Sequence, residues 1–370
     1  MGYFLFEVPS NLILHRIGAR LWIARIMIVW GLISSCMMGI KSPQGFYAMR
    51  FLLGVAEAGF FPGIILYLTY WFRTRDRARM VALLSTAATL SGLVNSPVSG
   101  RLLQLDGFGG LAGWQWLFLI EGIPAVLVGF FILWALPDGP AQAHWLSEEE
   151  KRRIQAELIQ DDRRAGPERM QSLREAFTSG RVWLLCAVYF LLNVGGYGCE
   201  MWLPQILRSF PHLTEFRIGL LNGVPYLVAT VFMVWNGRHS DRKGERRWHV
   251  AASACAGAMG FVASAYAPNV ALSLAALAVA FAGVKGMVGP FWALATASLS
   301  GRAAAAGIAW INSLGNLGGF VGPTVVGYIK KATGSYAGAV TVLGCALVIL
   351  ACLALALRPD AVRTAAKSGD

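Results

Sequence analysis

The sequence has few charged residues. Lys, Arg, Asp and Glu make up 14% of its 370 residues, whereas an ordinary soluble domain contains about 25%. Hydrophobic residues reach 56%, and the mean hydropathy is +0.54. So few polar side chains could not cover the surface of a soluble protein of this length. The composition therefore predicts an all-α integral membrane protein whose main partner is the lipid bilayer.

Motifs for metal binding, nucleophilic catalysis and ATP hydrolysis are also missing. The six Cys stand singly, without a C-x-x-C pair or the Cys/His spacing of a zinc site. The sequence contains no H-E-x-x-H, G-x-S-x-G or Walker A motif. We therefore expect no metal, no cofactor and no enzymatic activity.

Long apolar segments are abundant. A helix that crosses the hydrocarbon core needs about 20 mainly apolar residues, because its backbone must satisfy its own hydrogen bonds. Segments longer than this predict tilted helices or polar ends. We predict ten spans, at residues 22–40, 45–72, 80–105, 114–136, 182–207, 218–235, 249–267, 270–299, 303–329 and 336–357.

One long polar segment, residues 137–180, separates the predicted spans into two sets. Within it, Ser147 precedes Glu150 by three positions, the spacing of a capping box, and this predicts an amphipathic helix. The resulting division is an N-terminal bundle at 1–136, a linker at 137–180, a C-terminal bundle at 181–357 and a tail at 358–370.

The basic residues are unevenly distributed. Most of the 32 Lys and Arg residues fall in alternate loops, in the linker and in the tail. By the positive-inside rule these segments face the cytoplasm. Topology therefore explains the formal charge of +12, and we expect no nucleic acid partner. The predicted location is the cytoplasmic (inner) membrane, with the linker and the C-terminus inside.

The sequence contains an internal repeat. Identical residues recur at an offset of 226 positions in two separate segments, which composition alone does not explain. Two parallel copies of one helical bundle are an arrangement that secondary transporters use. The matching pairs are Arg16 and Arg242, Gly18 and Gly244, Arg20 and Arg246, Trp22 and Trp248, Gly92 and Gly318, and Pro97 and Pro323.

The second copy of the repeated loop, residues 237–247, resembles the G-x-x-x-D-R-x-G-x-R signature of the major facilitator superfamily. The first copy departs from it, with Asn11 at the first Gly and His15 at the Asp. The resemblance implies a major facilitator fold of two pseudo-symmetric six-helix bundles. It also implies a conformational-switch motif, whose residues here are Arg16, Gly18, Asp241, Arg242, Gly244 and Arg246. The alternative is a generic basic anchor on the cytoplasmic surface.

Further runs are similar to the anion:cation symporter family, in particular its bacterial tartrate-transporter-like members. They lie at residues 2–11, 50–63, 118–125, 289–294 and 311–323. The resemblance implies proton-coupled uptake of a small organic anion, such as a tartrate-like dicarboxylate or a sugar acid, and we expect a monomer. Two alternatives stay open: a uniporter or exchanger for another carboxylate, such as a phthalate-like aromatic acid, and an inactive truncated fragment.

The apolar segment before the first predicted span, residues 1–14, is short. As a helix it would extend about 21 Å, less than the hydrocarbon core of about 30 Å. Compared with the superfamily pattern, we therefore expect a chain that lacks helix 1 and part of helix 2. In the family, helix 1 contributes an Asp-Arg pair near the site, and its loss would place coupling and anion binding in doubt.

Two ionisable residues fall inside the span at 45–72. Glu57 lies near its middle, and an ionisable side chain at that depth is a functional candidate. Arg50 precedes it by seven positions, on the same helical face. The resemblance implies substrate binding by Arg50 and proton coupling by Glu57. The alternative is a structural ion pair between them.

A third ionisable residue, Lys285, lies midway along the span at 270–299. The 226-residue offset places it on Gly59, close to Glu57 in the pseudo-symmetric frame. We predict that Lys285 neutralises a substrate carboxylate. The alternatives are that it pairs with Glu57 or extends to the membrane surface.

Neutral polar residues recur at helical spacing in two further spans. Such groups need hydrogen-bond partners in lipid, so they should face a cavity or another helix. We predict that they bind substrate, with interhelical hydrogen bonding as the alternative. The predicted residues are Tyr189 and Asn193 in one span, Asn312 and Asn316 in another, and Tyr3 near the N-terminus.

Overall fold

The computed structural model describes residues 2–164, 170, 172–208 and 215–357. These residues are mainly helical, with one isolated β-bridge between Met170 and Leu299. The predicted tail, 358–370, lies outside the described residues, and so do the surroundings of Gly92 and Pro97. The all-α fold class is confirmed.

Six helices precede the linker, and we call them the N-terminal helices. They are α1 (Gly2–Ile17), α2 (Ala19–Cys36), α3 (Pro43–Glu57), α4 (Phe60–Trp71), α5 (Arg77–Leu103) and α6 (Gly113–Ala135). The linker contains α7 (Glu148–Arg164) and α8 (Leu173–Thr178). A reciprocal capping box opens α7: Ser147 Oγ accepts from the Glu150 amide, and Glu150 accepts from the Ser147 amide and hydroxyl. These two hydrogen bonds from Ser147 lower the pKa of Glu150.

The C-terminal helices follow the linker. They are α9 (Gly180–Glu200), α10 (Leu203–Arg208), α11 (Glu215–Lys243), α12 (Arg247–Ala265), α13 (Val270–Gly286), α14 (Val288–Ala297), α15 (Gly301–Asn316), α16 (Gly318–Thr333) and α17 (Ala337–Ala356). Most of the buried apolar residues belong to these helices. Within them, α12 packs against α13 and α17, and α9 packs against α15 and α16.

Seven helical segments of the described chain are long and apolar enough to cross a membrane. Three predicted spans, 80–105, 218–235 and 303–329, form helices but are not among the seven. Their helices lie where the two groups meet: α5 packs on α11 and α14, and α15 packs on α1. Because one side of these helices packs against protein, they need fewer apolar residues.

Four predicted spans are broken into two helices each, where we expected one continuous helix. The sharpest break separates α3 from α4, with Ala58 outside the helical region at ψ 128° and Gly59 at φ 86°. A Cβ at Gly59 would also collide with Ser10 of α1. Ser10 Oγ donates to the Ala58 carbonyl at 2.6 Å. Only glycine fits this position, and the break makes Glu57 the last residue of α3.

Candidate functional site

A buried polar contact joins α1 to α15 at the centre of the molecule. The Asn312 amide donates to the Glu7 carboxylate and to the Tyr3 hydroxyl, the latter at 3.3 Å. Ser313 Oγ donates to the Phe4 carbonyl at 2.9 Å. Glu7 is 0% exposed and Asn312 1% exposed. The two groups of helices are therefore held together here by hydrogen bonds.

Glu57 lies beside this contact and is partly exposed. It interacts electrostatically with Tyr3 and Glu7 of α1 and with Tyr197 of α9. Its neighbours thus come from both groups of helices.

Arg50 lies on α3 with an exposed side chain, and its guanidinium stands 5.1 Å from the centroid of the Phe46 ring. Among the ion pairs between described residues, none joins Arg50 to Glu57. The alternative of a structural Arg50–Glu57 pair is therefore wrong for this structure. Both residues lie on α3, but seven positions along a helix separate them by about 10 Å, which is too far for a direct ion pair.

Lys285 pairs with Glu200 of α9, with Nζ 3.3 Å from a carboxylate oxygen. The two side chains are 27% and 29% exposed. The alternative in which Lys285 pairs with Glu57 is therefore wrong here. The repeat relates backbone positions, whereas the flexible lysine side chain reaches the carboxylate on the neighbouring α9.

The polar residues of α9 and α15 meet each other. Asn193 Nδ2 donates to Asn316 Oδ1 at 3.4 Å. Tyr189 is buried and stacks on Phe291, with ring centroids 5.1 Å apart. A Cβ at Gly315 would collide with the Tyr189 ring. These contacts join helices, as the alternative of interhelical hydrogen bonding expects. The side chains of Asn316 and Tyr3 are also partly exposed.

The two groups also meet at one end, which we call the basic end and define by the loops at residues 15–20, 72–79, 237–247 and 298–302. There Asp241 accepts from the Arg79 amide at 2.7 Å. Arg246 donates to the Thr74 and Arg75 carbonyls at 3.2 and 3.1 Å. Asn11, one turn deeper, donates to the Ala305 carbonyl at 2.7 Å.

The switch-motif residues all lie at the basic end. Gly18 and Gly244 both have positive φ, at 97° and 60°. Arg16 and Arg242 are exposed, whereas Arg246 is 5% exposed and pairs with Asp241 at 2.6 Å. Tyr197, near Glu57, remains 45% exposed. Contacts between the two groups of helices thus close the basic end.

Glu7 and Glu200 belong to the site but are not among the residues predicted from the sequence. Glu7 is an ionisable residue in an apolar helix, and the rule that selected Glu57 also applies to it. Glu200 follows Asn193 by seven positions, two turns along the same face of α9. Both signals were therefore present in the sequence.

No group of three or more His, Cys, Asp or Glu side chains in the described residues could hold a metal ion. All six Cys are free thiols.

Comparisons with known proteins agree with this geometry. The profile of the Major Facilitator Superfamily matches residues 1–323. A protein of Agrobacterium vitis named "Putative tartrate transporter" is 47% identical over 100% of this chain and 84% of its own length. A protein of Pseudomonas putida named "Putative metabolite transport protein NicT" is 41% identical over 96% of this chain and 82% of its own length. The solved structure of the proton:xylose symporter XylE matches 98% of this chain and 86% of its own, with a TM-score of 0.74 at 15% identity, which shows the fold.

These findings define a multi-pass membrane transporter and not an enzyme. The chain belongs to the Major Facilitator Superfamily. Its similarity to tartrate-transporter-like proteins, predicted from the motifs, is confirmed. The expectation of an incomplete amino terminus is not confirmed.

Proposed function

We propose that the protein is a proton-coupled symporter for a small organic anion, a tartrate-like dicarboxylate or a sugar acid. The position of Glu57 carries this proposal. It lies at a helix break, partly exposed, with neighbours from both groups of helices. A carboxylate in that position can bind a proton from one side of the membrane and release it on the other.

In this proposal, cations bind the substrate carboxylates and neutral groups orient the molecule. Arg50 has no carboxylate partner among the described residues and offers a planar fork of donors. Lys285 lies on the other group of helices, so a dicarboxylate could engage both. The neutral groups are Tyr3, Tyr189, Asn193, Asn312 and Asn316.

We further propose that transport proceeds by alternating access. The structure is packed at the basic end, through Asp241, Arg246 and Asn11. Separation of these contacts, with closure at the opposite end, would expose the site to the other side. Arg16, Gly18, Arg242 and Gly244 complete the switch motif in this scheme.

The orientation and organisation belong to the same proposal. The basic end faces the cytoplasm of a cytoplasmic (inner) membrane, because positive loops stay inside. The bundles occupy residues 1–136 and 181–357, joined by a cytoplasmic linker at 137–180 and followed by a cytoplasmic tail at 358–370, and the transporter is a monomer. The names of two relatives that are 47% identical support the substrate class.

Uptake into proteoliposomes tests the function. With an inward proton gradient, labelled tartrate, galactonate or glucarate should accumulate, and a protonophore should abolish the accumulation. Glu57→Gln should lose gradient-driven accumulation but keep exchange of labelled for unlabelled substrate. Glu149→Gln, on the exposed surface of α7, is the matched control and should behave as the unsubstituted protein.

Two results would contradict the proposal. Accumulation that ignores a collapsed proton gradient would indicate a uniporter or exchanger. Failure to move these three anions and phthalate would indicate an inactive chain.

A further inference from the structure

Glu7 is a fully buried carboxyl group that the proposed mechanism does not use. One of its oxygens accepts from Asn312, and the other, Oε2, has no hydrogen-bond partner. The carboxyl group lies between α1 and α15, which belong to different groups of helices. Any motion that separates these helices must uncover it.

The groups that face Glu7 are neutral or acidic. They are Tyr3 on its own helix, Glu57 on α3, Tyr189 on α9, and Asn312 and Ser313 on α15. On α2, Arg25 is directed to the Ala56 carbonyl at 3.4 Å and lies over the Trp22 ring. On α4, the Tyr70 hydroxyl bonds to His15 and the Tyr67 hydroxyl to the Pro137 carbonyl. No Lys, Arg or His of the described chain forms an ion pair with Glu7.

Electrostatics therefore favours the neutral acid in this conformation. An ionised carboxylate without a cation is costly to bury, and a nearby carboxylate at Glu57 adds repulsion. Asn312 can accommodate either form of Glu7. Its amide nitrogen donates to a carboxylate, whereas a half-turn of the amide presents Oδ1, which has no partner now, to a carboxylic acid hydroxyl.

We propose that Glu7 is a second proton-binding carboxylate, neutral while α1 packs against α15 and ionised when these helices separate at the basic end. Its proton then passes from the carboxyl oxygen to water on that side. The inference rests on the alternating access of the proposed function. It couples the packing of α1 and α15 to protonation, a role distinct from contact with substrate.

The accessibility of a buried position tests the inference without a transport assay. Ala305 is 0% exposed at the basic end, beside Asn11. In the full-length protein with Ala305→Cys, the rate of maleimide alkylation at this residue is measured by mass spectrometry, which resolves it from the six native Cys. Each rate is divided by that of the unfolded protein at the same pH, because thiolate formation alone accelerates the reaction.

The normalised rate should rise several-fold from acidic to alkaline pH as Glu7 loses its proton. Glu7→Gln should keep the rate low and remove its pH dependence, while Glu7→Asp should restore a pH-dependent rise. Ser313→Ala is the matched control: it removes a neutral hydrogen bond between the same helices and should leave the rise in place.

A rise that persists in Glu7→Gln would overturn the inference. So would a rise that is lost in Glu57→Gln but kept in Glu7→Gln. A chain that transports no organic anion but shows the Glu7-dependent rise would contradict the proposed function and support the inference.

Discussion

The two copies of the repeated loop hold the basic end by different contacts. In the second copy, the Asp241–Arg246 ion pair is buried, and Asp241 also accepts from the Arg79 amide. In the first copy, His15 stands at the position of Asp241, with Nδ1 3.0 Å from the Tyr70 hydroxyl. Arg20, the counterpart of Arg246, is exposed, and its backbone amide donates to Asp138 at 2.8 Å.

The segments that receive these loops differ in the same way. Arg246 donates to the carbonyls that precede α5. The equivalent segment, which precedes α15, pairs with the linker: the Met170 amide donates to the Ser298 carbonyl, and the Ser300 amide to the Met170 carbonyl. One copy thus relies on buried charge, and the other on backbone hydrogen bonds and Asp138. A degenerate motif in a duplicated protein can mark a place where another segment has taken over the contact.

Removal of the buried acid should have the largest effect. Asp241→Ala leaves Arg246 with no carboxylate partner at a site where it is 5% exposed. Breaking one side of a buried ion pair costs about 3–5 kcal/mol. We expect a large fall in the apparent Tm of the purified protein. Asp138→Ala, the corresponding change at the first copy, should cost about 1 kcal/mol, because it removes a single exposed hydrogen bond. Equal losses would show that the two copies do not differ.

The two loop glycines should respond unequally to alanine. Gly18 has φ 97° and ψ 153°, and a Cβ there would lie 2.5 Å from Asp138 Oδ1. Gly244 has φ 60°, and a Cβ there meets nothing within 4 Å. We expect Gly18→Ala to cost about 3 kcal/mol and Gly244→Ala about 1 kcal/mol, measured as thermal unfolding. The reverse order would show that Asp138 does not approach Gly18.

A cap on α12 has no equivalent on α2. Glu245 accepts from the Trp248 amide and from His249, whereas the corresponding residue of the first copy, Ala19, has no acceptor. Glu245→Ala should therefore cost about 1 kcal/mol of unfolding free energy. Ala19→Gly, at the equivalent position of the first copy, is the control and should leave the pH dependence of the Tm unchanged.

Burial raises the pKa of Glu245, but the hydrogen bonds from His249 and the Trp248 amide outweigh burial and hold it below its ordinary value. A group with a lowered pKa stabilises the fold above its unfolded pKa of about 4.3, and this contribution is lost as the pH falls through the lowered value. The Tm difference between the unsubstituted protein and Glu245→Ala should therefore shrink in acid. A difference that does not change with pH would contradict the assigned hydrogen bonds.

Restoring the missing acid should have the smallest effect. His15→Asp re-creates the signature in the first copy and places a carboxylate near Arg302, which already interacts electrostatically with His15. A partly exposed ion pair contributes about 0.5 kcal/mol, so we expect a slight rise in Tm at low salt. His15→Asn is the control without charge. A fall in Tm would show that the His15–Tyr70 hydrogen bond is worth more than the new pair.

The helices and the duplication could be predicted from sequence, because both leave periodic signals. Apolar runs of about 20 residues predict spans, and the 226-residue offset relates Arg16 to Arg242 and Trp22 to Trp248. The choice of Glu57 as a candidate residue followed from its place within its span. These inferences needed only local sequence.

The partners of the charged residues could not be predicted in this way. The break at Gly59 depends on the approach of Ser10 from another helix. The Lys285–Glu200 ion pair joins α13 to α9. Such contacts depend on packing, and a single sequence taken alone carries no record of which helices touch.

The packing at the basic end also predicts the side of the membrane from which an inhibitor can block the transporter. If transport alternates as proposed, the contacts that join the two groups at the basic end leave the opposite end as the point of entry in this conformation. A bulky, membrane-impermeant organic anion added on that side should bind there and stall turnover. The same compound, placed on the side of the basic end, should not inhibit transport until the loops at that end separate.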